Sequence, residues 1–176
     1  MDNIKIKKVI IVDVDKLQKI SRQTFYETFS ADNTEENMKK YLEEDFSLAK
    51  LSSELDSINS EFYFAYYDNK VIGYLKINFG QSQTELKDEK SFEIERIYVL
   101  KKFHGQKVGQ LLYERAIRIA MQKNAEYVWL GVWEKNPRAI RFYQKNGFVE
   151  FDKHIFKLGN DKQIDIMMKL KLTTNE

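Results

Sequence analysis

Between Phe92 and Phe148 the chain leaves itself few ways to fold. An extended run, Phe92–Val99, passes into a basic, glycine-bearing turn, Lys101–Gly109, and the turn opens directly into an amphipathic helix. A strand, Ala125–Val132, follows, and then a helix with Asn136 as N-cap, the only proline, Pro137, at its first position, and Gly147 at its end. Strand, turn, helix, strand, helix is an α/β unit. Backbone N–H groups at a helix start lack intrahelical partners, and the helix dipole favours an anion, so the basic turn is a place to hold phosphate. No Gly-Lys-Ser/Thr follows it, which excludes a P-loop. A dinucleotide-binding turn needs a third glycine, and this strand comes after an antiparallel hairpin signal, so that architecture is excluded as well.

The flanking sequence completes the pattern. Lys5–Val12 has the β-branched enrichment of a first strand. Asp13 or Asp15 is placed to cap a helix running to about Phe29, with Leu17, Ile20, Phe25 and Phe29 facing inward. Thr34 caps a second helix, Glu35–Glu44, and Ser47 starts a third ending near Asp56. The aromatic-rich strands Glu61–Tyr67 and Val71–Phe79 meet at the tight turn Asp68-Asn69-Lys70, and Gly80–Lys90 reads as a polar loop. Gly109–Lys123 carries Leu111, Leu112, Ala116, Ile119 and Ala120 at helical spacing. Phe148–Phe156 and Gln163–Leu172 form a last hairpin. The order βαααβββαβαββ predicts one α/β domain over residues 1–176, with a mixed, mostly antiparallel sheet flanked by helices.

Composition narrows the chemistry. The chain has no cysteine, which removes disulfides, thiolate catalysis and cysteine-type zinc sites, and its two histidines, His104 and His154, do not make a histidine-rich metal centre. No metal is expected. No stretch has signal-peptide or membrane-spanning character, so a cytoplasmic protein is expected. The net charge of +2 hides an asymmetry: residues 1–95 hold 13 Lys+Arg and 19 Asp+Glu, residues 96–176 hold 16 and 8. A basic half suits a polyanionic ligand and an acidic half a cationic one. Nucleic-acid binding calls for a stronger net charge with a basic helix or aromatic platform, and neither is evident.

Three segments carry a family resemblance: Ile94-Glu95-Arg96-Ile97-Tyr98-Val99, His104-Gly105-Gln106-Lys107-Val108-Gly109, and Asn136-Pro137-Arg138-Ala139-Ile140-Arg141-Phe142-Tyr143-Gln144-Lys145-Asn146-Gly147-Phe148. They resemble the GNAT superfamily of acetyl-CoA-dependent N-acetyltransferases. Trp129–Asn136 and Phe151-Asp152-Lys153-His154 are similar to the bacterial PaiA-type spermidine/spermine acetyltransferases. The family's turn reads Gln/Arg-x-x-Gly-x-Gly/Ala; here His104 stands at the first position and Lys107 at the first glycine, leaving Gly109 of the pair.

The resemblance implies direct acetyl transfer from acetyl-CoA to a primary amine, with no covalent acyl-enzyme. Turn residues His104, Gly105, Gln106, Lys107, Val108, Gly109 and Gln110 would face the pyrophosphate, provided Lys107 does not need a positive φ. The backbone of Ile97, Tyr98 and Val99 would bond the pantetheine amides, and Asn136 would touch the same arm. Lys145 either reaches a phosphate or complements its own helix terminus. An alkylamine has a pKa near ~10.4, so a carboxylate must take its proton. Glu93 and Glu95 share a strand face by period, although a bulge changes that parity. Tyr143, a phenol protonated at neutral pH, is the implied general acid toward the thiolate. Tyr26, Phe29, Glu36 and Tyr41 on the acidic N-terminal helices suit a polyamine. Another amine, such as a protein N-terminus or amino sugar, or a catalytically silent CoA-binding regulator, is the alternative. The expected partner is thus a small amine, with no nucleic acid or membrane, and the protein is expected as a monomer or homodimer.

Overall fold

The computed structural model describes residues 3–173. Its elements run β1 (Lys5–Lys8), α1 (Val14–Phe29), α2 (Glu35–Asp45), α3 (Leu48–Asp56), β2 (Ser60–Tyr67), β3 (Lys70–Phe79), β4 (Ser91–Val99), α4 (Val108–Gln122), β5 (Tyr127–Trp133), α5 (Pro137–Lys145), β6 (Val149–Leu158) and β7 (Asp161–Lys171). The seven strands form one sheet in the order β1-β2-β3-β4-β5-β7-β6. All pairs are antiparallel except β4–β5. Each face of the sheet carries its own core. One contains Leu112, Ala116 and Ala120 of α4 against Ile77, Ile94 and Leu130. The other contains Leu17, Phe25 and Phe29 of α1 with Phe62, Phe64 and Trp133.

Two local features shape the middle of the sheet. The first is a bulge in β4: Lys76 pairs with Arg96 and Ile77 with Ile94, so Glu95 has no partner across the ladder. Ile94 and Ile97, three residues apart, therefore both pack in the α4-side core, which a regular strand of period two forbids. The second is the brevity of the parallel pairing. It covers Ser91–Glu93 against Tyr127–Trp129, and both strands continue past it, splayed apart. An extra residue twists and bends its strand, and this one lies two positions beyond the last pair. Backbone groups of residues 94–99 on the β5 side thus have no ladder partner.

The element order agrees with expectation; the boundaries differ in informative places. β1 ends at Lys8 rather than Val12, because pairing with β2 stops there and the chain turns through a short 3₁₀ segment, Ile11–Asp13. Ile10, Ile11 and Val12 have strand propensity but the chain turns away from β2 after Val9, whose N–H still donates to the Phe62 carbonyl at 2.8 Å, and Val12 is 77% exposed. Neither expected aspartate caps α1 through its side chain; Asp13 pairs instead with Lys16 at 3.0 Å. Thr34, Ser47 and Asn136 do cap their helices, accepting from the backbone N–H of Asn37, Lys50 and Ala139. Asp68 and Asn69 both take positive φ, as a two-residue hairpin turn requires.

The start of α4 departs most clearly. Lys107 immediately precedes the helix with φ +63°, in the left-handed region, and no side chain caps the helix. The proviso that Lys107 does not need a positive φ is therefore not met; the lysine itself adopts the conformation for which glycine is favoured, so the turn keeps the shape that a glycine there would give. A non-glycine residue there costs about 1–2 kcal/mol. Lys107→Gly is expected to keep or raise the melting temperature, and Lys107→Val to lower it by several degrees, since a β-branched residue tolerates positive φ least. Thermal unfolding of the three proteins checks the order; a valine variant as stable as the parent would contradict it.

Candidate active site

The splay between β4 and β5 opens a cavity of about 260 Å³. Tyr143 and Asn136 stand on one wall, Glu93, Glu95 and Tyr98 along β4, and Phe29 and Tyr41 from α1 and α2 above. Among the described residues the Tyr143 hydroxyl has no hydrogen-bond partner, and the residue is 8% exposed. Burial alone pushes its pKa up, so the phenol keeps its proton throughout the neutral range. Its ring is braced edge-on by Phe142 and Phe148, at centroid distances of 5.3 and 5.7 Å.

The two glutamates of β4 converge on one amide. Asn78 Nδ2 donates to Glu93 Oε2 at 2.9 Å and to Glu95 Oε2 at 2.7 Å. From there their environments diverge. Glu93, 2% exposed, also accepts from the backbone N–H of Thr84 at 2.9 Å and from the Thr84 hydroxyl. Burial and then the neighbouring Glu95 charge raise its pKa, against the pull of those hydrogen bonds. Glu95 is opposed in sign. Burial would raise it, but Arg96 and Lys76 outweigh burial and hold it at about 2. Lys76 Nζ lies 2.5 Å from Glu95 Oε2 and 3.0 Å from Glu54 Oε2, tying α3, β3 and β4 together. The Arg96 guanidinium stacks 4.9 Å over Phe46.

The basic turn lies beyond the end of β4. His104 donates from Nε2 to the Val99 carbonyl at 2.8 Å, which fixes the tautomer and binds the turn back to the strand. The Lys101 backbone N–H donates to Glu27 Oε2 at 2.7 Å. Gly105 has φ +77°, Gln106 donates to the Lys102 carbonyl at 3.1 Å, and Val108, Gly109 and Gln110 form the uncapped first turn of α4. The Gln110 side chain points to α5, where it exchanges hydrogen bonds with Asn146 at 3.2 and 3.3 Å. Lys145 is exposed in the last turn of α5. Positive φ at Gly105 and Lys107 beside helix amides without a side-chain cap is the backbone geometry from which anion-binding concavities are built.

On the acceptor side, Phe29 and Tyr41 line the cavity, while Tyr26, 48% exposed, and Glu36 do not. Sequence reasoning passed over several residues that do: Phe25, Thr84, Glu85, Trp133, Phe156 and Asp165. Trp129, Gly131 and Trp133 alternate along β5, and Gln163, Asp165 and Met167 along β7, so period two was the available signal. The loop over 80–90 is fixed from within. Buried Gln83 accepts from Trp129 Nε1 and Ser91 Oγ, each at 2.8 Å, and this sets Thr84 and Glu85 at the cavity. Glu85 Oε1 is 2.9 Å from His154 Nδ1. Among the described residues no helix is long and apolar enough to cross a membrane.

Comparisons with known proteins identify the family. The model of the acetyltransferase (GNAT) family matches residues 15–148. An uncharacterized N-acetyltransferase in the pepI 3′ region of Lactobacillus delbrueckii subsp. lactis is 40% identical over 98% of this chain and 99% of its own length. A spermidine N(1)-acetyltransferase of Thermoplasma acidophilum is 26% identical over 83% of this chain and 88% of its own. The crystal structure of a PaiA N-acetyltransferase from Thermoplasma acidophilum in complex with coenzyme A superposes with a TM-score of 0.80 at 24% identity, covering 97% of this chain and 99% of that one. A family match spanning most of the chain, and a relative aligned along nearly all of it, place the protein in the acetyltransferase (GNAT) family.

Proposed function

We propose that the protein moves the acetyl group of acetyl-CoA directly onto a primary amine of a small polycation, a polyamine such as spermidine. The observation that carries this reading is one cavity lined by an unpartnered phenol, Tyr143, and by a buried carboxylate of raised pKa, Glu93. When bound, acetyl-CoA supplies an acetyl thioester. The protein's features fit such a ligand. The β5-side edge of β4, unpaired at Ile97 and Val99 on either side of Tyr98, offers backbone groups to the pantetheine amides, with the Val99 carbonyl already accepting from His104. The concavity at Gly105–Gln110, with positive φ at Lys107, suits the pyrophosphate. Asn136 retains hydrogen-bonding capacity beyond its cap, and Lys145 lies on the exposed end of α5.

Two proton transfers fall to the chain. Glu93, directly or through a water, takes the proton from the substrate ammonium, and Tyr143 Oη gives a proton to the departing sulfur. Glu95 is unsuited to the first task, because its ion pairs with Lys76 and Arg96 strip it of basicity. The aromatic walls Phe29, Tyr41 and Trp133 and the acidic Glu85 and Asp165 favour a slender cation. The similarity to a spermidine acetyltransferase supports the same substrate class.

Thiol release from acetyl-CoA with spermidine, spermine and butylamine is the direct test; no release with any amine would contradict the reading. Tyr143→Phe is expected to lower kcat about 10²-fold while coenzyme A binding, measured by calorimetry, persists. Unchanged kcat would remove Tyr143 from the chemistry. The two glutamates should separate. A base must be deprotonated to act, so kcat/KM rises with pH through the raised pKa of Glu93, and Glu93→Gln should lower and flatten that rise. Glu95→Gln should instead lower stability by about 3 kcal/mol, because it leaves Lys76 and Arg96 short of a counter-charge. Paired pH–rate profiles and denaturant unfolding curves read both; rate loss confined to the Glu95 variant would reverse the assignment.

A further inference from the structure

Asp165 is a cavity carboxylate that proton transfer at Glu93 and Tyr143 leaves unused. It stands on β7 opposite Trp133 of β5 and His154 of β6, and directly paired positions put their side chains on one face, here the acceptor face. Among the described residues its carboxylate has no hydrogen-bond donor or ion-pair partner. The nearby imidazole is engaged elsewhere, since His154 Nδ1 faces Glu85 Oε1 at 2.9 Å. Burial raises the Asp165 pKa to about 6, against the pull of the neighbouring His154.

The surroundings are shaped for a cation. A Cβ on Gly131 would lie 3.3 Å from Asp165 Oδ2, tighter than ordinary contact, so the missing side chain leaves the carboxylate room across β5. The Phe29 ring lies 4.8 Å from Trp133 and 6.1 Å from Phe156, and these three rings wall the same space. Aromatic faces attract an ammonium. Glu93 pairs with Trp129 and Asp165 with Trp133, four residues further along β5. Their backbone positions are thus about 13 Å apart along the strand direction and lie on opposite sides of β5, with both side chains lining the one cavity.

Resting on the reading of the protein as an amine acetyltransferase, we propose that Asp165, cleared by Gly131 and walled by Trp133, Phe29 and Phe156, holds the second, non-reacting ammonium of a polyamine. It is therefore the residue that sets preference for polyamines over monoamines. Thiol release with spermidine and with butylamine, in the parent, Asp165→Asn and Gly131→Ala proteins, tests this through the ratio of the two kcat/KM values. The parent is expected to favour spermidine. Asp165→Asn should lower the ratio about tenfold or more, through the KM for spermidine, because a charge-assisted contact is lost. Gly131→Ala should lower it in the same direction by crowding the carboxylate, with retained coenzyme A binding reporting the fold of both variants. A ratio that stays at the parent value in both variants, whether the two substrates slow together or not at all, would overturn the assignment. No thiol release from the parent with either amine would instead overturn the acetyltransferase reading beneath it.

Discussion

One unpaired residue, Glu95, sets the geometry on which the rest of the site depends. Its insertion between the Lys76–Arg96 and Ile77–Ile94 pairs shifts the parity of β4. Ile94, Ile97 and Val99 then face α4, whereas Glu93 and Tyr98 face the cavity and the α1 side. The bulge bends the strand where its parallel pairing with β5 has just ended, and the opening so formed is the cavity. The residue is anchored by charge: Lys76 and Arg96 neutralise it, and Glu54 of α3 joins the same group. Burying such a cluster is costly and contributes little net stability. What it supplies is a fixed position for the distortion.

The same cluster divides the labour of two carboxylates that share one amide donor. Glu95, held by two cations, is fixed as an anion, while Glu93, buried beside that anion, is pushed toward protonation. Neighbouring carboxyls whose environments drive their pKa values apart are the usual means of assigning separate roles. Glu93 also holds Thr84, which brings the 80–90 loop to the cavity, so the proposed base positions that loop as well.

Much of this was legible in the sequence, and the exceptions have physical causes. β-branched, aromatic and apolar runs gave the strands, and caps, turn residues and the 3.6 period gave the helices and their order, because the central elements pack against a sheet with a core on both sides. The residues Ile10–Val12 misled because the chain leaves β2 after the Val9 N–H bond to the Phe62 carbonyl and turns through a 3₁₀ segment, although β2 itself runs on to Ser60. Of the four residues expected to suit a polyamine, Phe29 and Tyr41 line the cavity, whereas Tyr26 and Glu36 do not. Asp165 and Glu85 were not visible, since their place depends on strand pairing between residues far apart in the chain and on the buried Gln83 that fixes a polar loop. The bulge was foreseeable as a possibility, but its position depends on register with β3.

Amide hydrogen exchange with and without coenzyme A tests the central claim, that the bulge-opened edge of β4 and the uncapped start of α4 form the cofactor site. Protection on adding coenzyme A is predicted for amides within residues 94–99 and 105–110, with little change in β1 and β2. Binding without slowed exchange in either segment, or with protection confined to the acceptor side around Phe29 and Asp165, would contradict it.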